Sequence, residues 1–142
     1  MAWRMEPEEI RAFLSEGTRT AKLATTRKDG RPHVAPVWFV LDGDDVIFTT
    51  HTNTVKGQAL RRAGEVSLCV DDERPPFAFV LVEGVAKVSE DLDELLQWAT
   101  VIAGRYMGEE RAEEYGIRNA VEGELLVRVR PDRVVAMSNM AD

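Results

Sequence analysis

Apolar residues recur along this chain in two rhythms, and the change between them marks out its elements. Ala21 to Arg27 alternates, with Leu23 and Thr25 on one face and Lys22, Ala24 and Thr26 on the other, which predicts a strand. Lys28-Asp29-Gly30 supplies a hairpin turn, and His33 to Leu41 returns as a second strand, apolar on both faces from Val34 onward. Such a strand is covered on both sides, as a partner subunit would do. Pro36 has no N–H to give to a ladder and so marks an edge or a bulge. Asp42 to Asp45 turns the chain again, and Val46 to Thr50 forms a third strand. Further strands are predicted over Glu65 to Asp71, over Phe77 to Val88 with a bend at Gly84, and over Leu125 to Arg130 and Val134 to Ala136.

Helical spacing appears in four places. Pro7 suits a first turn, Ile10, Phe13 and Leu14 share a face, and Gly17 is a natural stop. Thr54 to Arg62 is a short helix. Ser89 can cap a longer one, acidic in its first turn and running through Leu92, Leu95, Leu96, Ala99 and Ile102 to about Arg105. A charged piece covers Glu109 to Tyr115. Many short strands joined by hairpins, with a few helices, predict one mainly β domain over residues 1–142: an antiparallel split β-barrel of about six strands with peripheral helices. The hairpins leave little room for βαβ units, and no GxGxxG fingerprint occurs.

Composition narrows the chemistry. A net charge of −7 argues against a nucleic-acid surface. Apolar runs such as Val37 to Leu41 are far too short to cross a bilayer, and the first residues lack the apolar core of a signal peptide. One cysteine, Cys69, cannot form an internal disulfide, and the expected location is the cytoplasm. His33 and His51 lack the spacing of a metal site, so no metal is expected.

The stretch TTHTNTVKG carries the most specific signal. If Asn53 or Thr54 caps the helix, Lys56 lies in its first turn, where free N–H groups and the helix dipole already favour an anion. An ammonium and the hydroxyls of Thr49, Thr50 and Thr54 complete a candidate phosphate site, with Arg61 and Arg62 following. Lys28 and Arg31 at the hairpin tip are further basic candidates. Val37, Trp38 and Phe39 form an apolar wall on which a flat ring could stack. The plainer reading of the same residues is a solvated lysine and an ordinary core strand.

These pieces resemble the pyridoxamine-5′-phosphate-oxidase-like split β-barrel flavoproteins, and within them the actinobacterial branch that binds the 5-deazaflavin coenzyme F420. The resemblance rests on KLATTRKDGRPHVAPVWFVLDGD, TNTVKGQALRR, VSLCVDDERPPFAFVLVEGVAKV, RYMGEE and RNAVEGELLVRVRPDRVVA, which cover most of the chain in order. It implies a homodimer with two cofactor sites at the interface. One subunit would place Val37, Trp38 and Phe39 beside the ring, with Thr49, Thr50, Asn53, Thr54, Lys56 and Arg61 toward the phosphate. The other would supply a lid, with Phe77, Tyr106 and Asn119 as candidates. The chain ends RPDRVVAMSNMAD, without the closing Arg-Leu-x-Pro of the vitamin B6 oxidases, so that activity is not expected. The implied function is a reductase passing a hydride from reduced F420 to an unsaturated or conjugated small-molecule acceptor. Tyr106 or solvent is the candidate proton source. The alternatives are a non-catalytic F420 or FMN carrier and an FMN-dependent oxidoreductase.

Overall fold

A computed structural model describes all 142 residues, Met1–Asp142. The strands are β1 (Trp3–Arg4), β2 (Ala21–Thr26), β3 (Pro32–Val37), β4 (Val40–Asp42), β5 (Asp45–His51), β6 (Glu65–Asp72), β7 (Ala78–Ser89) and β8 (Glu124–Ser138). The helices are α1 (Pro7–Ser15), α2 (Val55–Arg62), α3 (Leu92–Met107) and α4 (Glu109–Asn119). The strands pair antiparallel in the order β3-β2-β6-β7-β8-β5-β4, and β1 pairs with β8. This is the mainly β split barrel with peripheral helices that the hairpin pattern predicts. No helix is long and apolar enough to cross a membrane.

Alternation explains how two layers share one strand pair. On β5, Val46 and Phe48 point into the barrel and meet Val129 and Val127 of β8 across the ladder. Ile47 and Leu126 face outward, into a second apolar cluster with Leu95 and Ile102 of α3. Thr49, His51 and Glu124 share that outer face, with His51 directly opposite Glu124. Helix α3 therefore covers part of the outer face of β5 and β8.

Several boundaries differ from the sequence expectation for physical reasons. The predicted second strand is broken: β3 pairs with β2, then the chain turns a corner at Trp38 and Phe39 and β4 pairs with β5. That corner carries one strand from one edge of the sheet to the other. The last two predicted strands are one continuous β8, since Pro131 lies opposite Gly84 at a register shift that absorbs the irregularity. Helix α3 is capped by Asp91, whose carboxylate accepts from the N–H groups of Asp93 and Glu94, while Ser89 still belongs to β7. Helix α4 continues to Asn119.

Candidate functional site

The corner between β3 and β4 leaves the backbone of Phe39 without strand partners, and buried backbone groups need them. Two consecutive residues of α3 provide them. The Tyr106 hydroxyl accepts from the Phe39 N–H at 3.1 Å and lies 2.7 Å from the Arg19 carbonyl, to which it donates. Arg105 donates to the carbonyls of Phe39 (2.6 Å), Leu14 (2.7 Å) and Gly17 (2.9 Å). Its guanidinium also lies over the Phe39 ring at 4.7 Å. Burial holds the Tyr106 phenol above its usual range, against the Phe39 N–H and Arg105, which pull it down.

Fixing the corner fixes Trp38. Its indole stacks on the Tyr106 ring, and 42% of the residue stays exposed. Pro36, Val37 and Trp38 form one wall of a cleft of about 310 Å³, at the low end of the ~300–1,000 Å³ range of ligand clefts. Ala99, Ile102 and Ala103 of α3 form another wall, and Asn119 closes the end of α4. Thr49, Thr50, His51, Thr54 and Lys56 line the polar end.

The polar end is shaped by a tight loop between β5 and α2. Thr54 is the N-cap of α2, and its Oγ1 accepts from the Gly57 N–H at 3.0 Å. The same hydroxyl donates to the His51 carbonyl at 2.8 Å, so in its 3.1 Å contact with Thr50 the Thr50 hydroxyl is the donor. Both hydroxyl protons are thus used within the loop. The His51 Nδ1 accepts from the Asn53 N–H at 3.1 Å, which leaves Nε2 as the ring's donor. A Cβ on Gly57 would collide with the His51 carbonyl oxygen, so the wrap of this loop requires glycine. Within α2 the N–H groups of Val55 and Lys56 have no carbonyl to meet. The Lys56 ammonium, the Thr49 hydroxyl and the His51 Nε2–H are further donors at this end of the cleft.

Beneath this end stands Glu124. One of its carboxylate oxygens is wholly buried and meets no hydrogen-bond donor, although the residue as a whole is only half-buried. Desolvation raises its carboxyl above the usual range, and His51 and Lys56 pull it partly back.

The cleft brings together Val37, Trp38, Thr49, Thr50, Thr54, Lys56 and Asn119 of the residues singled out in the sequence. It does not bring in the others. The buried Phe39 faces the barrel core and Asn53 is exposed on the loop. Arg61 turns to Thr52 and Glu90, and Arg62 to the Thr26 carbonyl. Phe77 is exposed at the start of β7, beside Ala78, Phe79 and Met140. Two lid candidates expected from a partner also lie at the same chain's cleft: Asn119 lines it, and Tyr106 backs Trp38, because α3 folds over its own β5 and α4 packs on α3. His51, Ala99, Ile102 and Ala103 line the cleft without having been singled out, and neither was Glu124 below it. The helical spacing of Ala99 and Ile102 could have indicated the α3 wall, but nothing local marks Glu124.

The sequence profile of the pyridoxamine 5′-phosphate oxidase family matches residues 6–137. The chain belongs to that family. Solved structures share its fold. The conserved hypothetical protein Rv2991 from Mycobacterium tuberculosis is 27% identical, with 96% of this chain and 87% of that one aligned at a TM-score of 0.83. An F420 reductase is 26% identical over 87% of this chain and 94% of that one, at a TM-score of 0.67. HutZ, a heme storage protein from Vibrio cholerae, is 22% identical over 94% and 96% of the two chains at a TM-score of 0.72, a likeness of fold alone. No curated protein matches the chain.

Proposed function

We propose that this chain is a reductase that takes reduced coenzyme F420 as cofactor and an unsaturated or conjugated small molecule as acceptor. The observation that carries this reading is the cleft, which sets an ammonium and free helix N–H groups at one end and an apolar wall ending in Trp38 at the other. A ring joined to a phosphate needs both. A Lys56 ammonium with no ion-pair partner, beside the free N–H groups of the first turn of α2, fits such a group. The similarity to an F420 reductase favours a deazaflavin over other ring phosphates.

When bound, the reduced deazaflavin supplies the hydride. The chain's own residues bind, orient and exclude water. Lys56, Thr49 and the start of α2 hold the phosphate, and Thr50 and Thr54 keep the loop in shape. Val37 and Trp38 flank the ring, and Ala99, Ile102 and Ala103 keep that side apolar. Solvent protonates the product, because the Tyr106 hydroxyl is engaged by backbone.

The working unit in this proposal is a cytoplasmic homodimer. Val34, Pro36 and Trp38 form an exposed stripe along the edge strand β3, with Val34 66% exposed. A second copy would cover that stripe, enlarge the small cleft and bring its own Phe77 toward it.

Titration with F420 and with FMN, followed by tryptophan quenching at fixed salt, tests the cofactor. Micromolar or tighter F420 binding with weaker FMN binding supports the reading, and the reverse preference replaces it with an FMN protein. Reduced F420 that stays unoxidised with quinone, enone and tetrapyrrole acceptors, despite tight binding, would leave a carrier in place of a reductase.

A further inference from the structure

A second cavity, of about 630 Å³, opens at the opposite end of β5 and shares no residue with the cleft described above. Asp45 lines the cavity and Thr49 the cleft, four residues along one strand, so ~13 Å separates them at the rise of an antiparallel strand. One stripe of α1 forms a wall: Pro7, Ile10, Arg11 and Leu14 follow the i, i+3, i+4, i+7 spacing of a helix face. Leu41 of β4, Val82 of β7 and Val134 of β8 complete an apolar floor. Val134 stands opposite Val82, which is 3% exposed in the main core, so the pair shares the inner face of the sheet. Yet Val134 is 40% exposed. The barrel's own side chains therefore leave this end unfilled, beside the register shift at Glu83 and Gly84, and bulges recur at barrel rims.

The rim is charged, and all but one of its charges are committed. Asp44 holds the Arg11 guanidinium at 3.0 Å, while Asp42 and Asp45 share that of Arg128 at 2.8 and 3.0 Å. Arg130 lines the cavity with no ion pair or side-chain hydrogen bond to the chain. A guanidinium offers five donors in a planar fork that matches a carboxylate. A concave apolar surface of this volume with one uncommitted polar group has the make-up of a small-molecule site. We propose that this cavity is a second ligand site, which takes a free organic acid with an apolar alkyl or aryl body. The body lies on Ile10, Leu14, Leu41, Val82 and Val134, and the carboxylate pairs with Arg130. The ligand binds without covalent change, and the site does not depend on which cofactor fills the cleft.

The test titrates the full-length chain by calorimetry at pH 7.5 with decanoate and 2-naphthoate, and with decanol and decyltrimethylammonium as head-group controls, all below micelle-forming concentrations. The wild type should bind either acid at one site per chain. Arg130→Gln should weaken both acids about tenfold or more, as the loss of a charge-assisted pair does, and leave decanol unchanged. Val134→Trp, which fills the mouth, should weaken acids and decanol alike. Both replaced residues are exposed, and melting curves establish that the variants fold. Lys56→Ala should leave acid binding as in the wild type. Acid affinities that Arg130→Gln does not change overturn the proposal, and so does a wild type that binds neither acid at millimolar concentration. Weakening in Lys56→Ala overturns it by placing the acids in the cleft. Tighter binding of decyltrimethylammonium than of decanoate also overturns it, because the aspartates would then be the recognition element.

Discussion

The indole of Trp38 lies flat against the ring of Tyr106, with centroids 4.9 Å apart and planes 2° from parallel. One face of Trp38 is thus backed by its own chain and the residue still reaches the cleft. Tyr106→Phe keeps the stack and removes the hydroxyl that meets the Phe39 N–H and Arg19 carbonyl. The expected result is a loss of about 1–3 kcal/mol in urea unfolding, from a buried backbone group left without a partner. Cofactor affinity should change by less than about threefold, well under the ~1.4 kcal/mol that a tenfold change represents. Turnover that disappears in Tyr106→Phe, with affinity intact, would make Tyr106 the proton donor and contradict a purely structural role at the corner.

Arg105 ties three carbonyls from two separate segments to α3. Arg105→Met should destabilise the chain by roughly 3 kcal/mol or more, because several charge-assisted bonds of about 1.5–3 kcal/mol each are lost together. Arg105→Lys should recover only part of that, since one ammonium cannot span the fan of carbonyls that a guanidinium reaches. Urea unfolding of the three proteins, read by far-UV circular dichroism, checks the order. Equal stability of the lysine and wild-type chains would show that charge alone suffices.

Lys56→Ala should weaken cofactor binding about tenfold or more, as the loss of a charge-assisted hydrogen bond does. Lys56→Arg should retain most of the affinity. Gly57→Ala acts differently: its methyl meets the His51 carbonyl, which belongs to backbone and cannot swing aside. That variant should lose about 1–3 kcal/mol of stability through overpacking, together with cofactor binding. A Gly57→Ala protein that melts like wild type would mean that the loop at His51 can shift.

The burial of Glu124 carries a pH signature. Its carboxyl is raised above the ordinary value by desolvation, with His51 and Lys56 acting in the opposite direction. The folded chain therefore holds this proton to higher pH than the unfolded chain does. Stability from this group is greatest below the unfolded value of ~4.3 and falls as pH rises through the folded one. Glu124→Gln, which cannot ionise, should melt higher than wild type at pH 7, with the difference shrinking as pH falls toward 4. A difference that instead grows on acidification would mean that Lys56 and His51 outweigh burial.

What the sequence determined by itself is local. Period-two alternation places β2, and the turn at Asp42 to Asp45 followed by a short apolar run places β5. The Thr54 cap, Lys56 and the threonines come as one contiguous loop, because a helix N-terminus and its cap are built from neighbouring residues. Gly84 marks the bend of β7, where the ladder changes register. These pieces, met in one order, are enough to identify the fold. Only the tertiary structure decided what meets across the chain. Arg105 and Tyr106 complete the backbone of Phe39, 66 and 67 positions away, and no periodicity encodes that contact. The corner at Trp38 has the pattern of continuous strand because its residues are apolar throughout; closure of the barrel, and not their pattern, breaks it. Arg61 has the sequence position of a phosphate ligand, yet Glu90 takes it. Glu124 becomes legible only when the register of β5 and β8 sets it opposite His51, since strand register is fixed by packing of the whole sheet and not by the residues beside it.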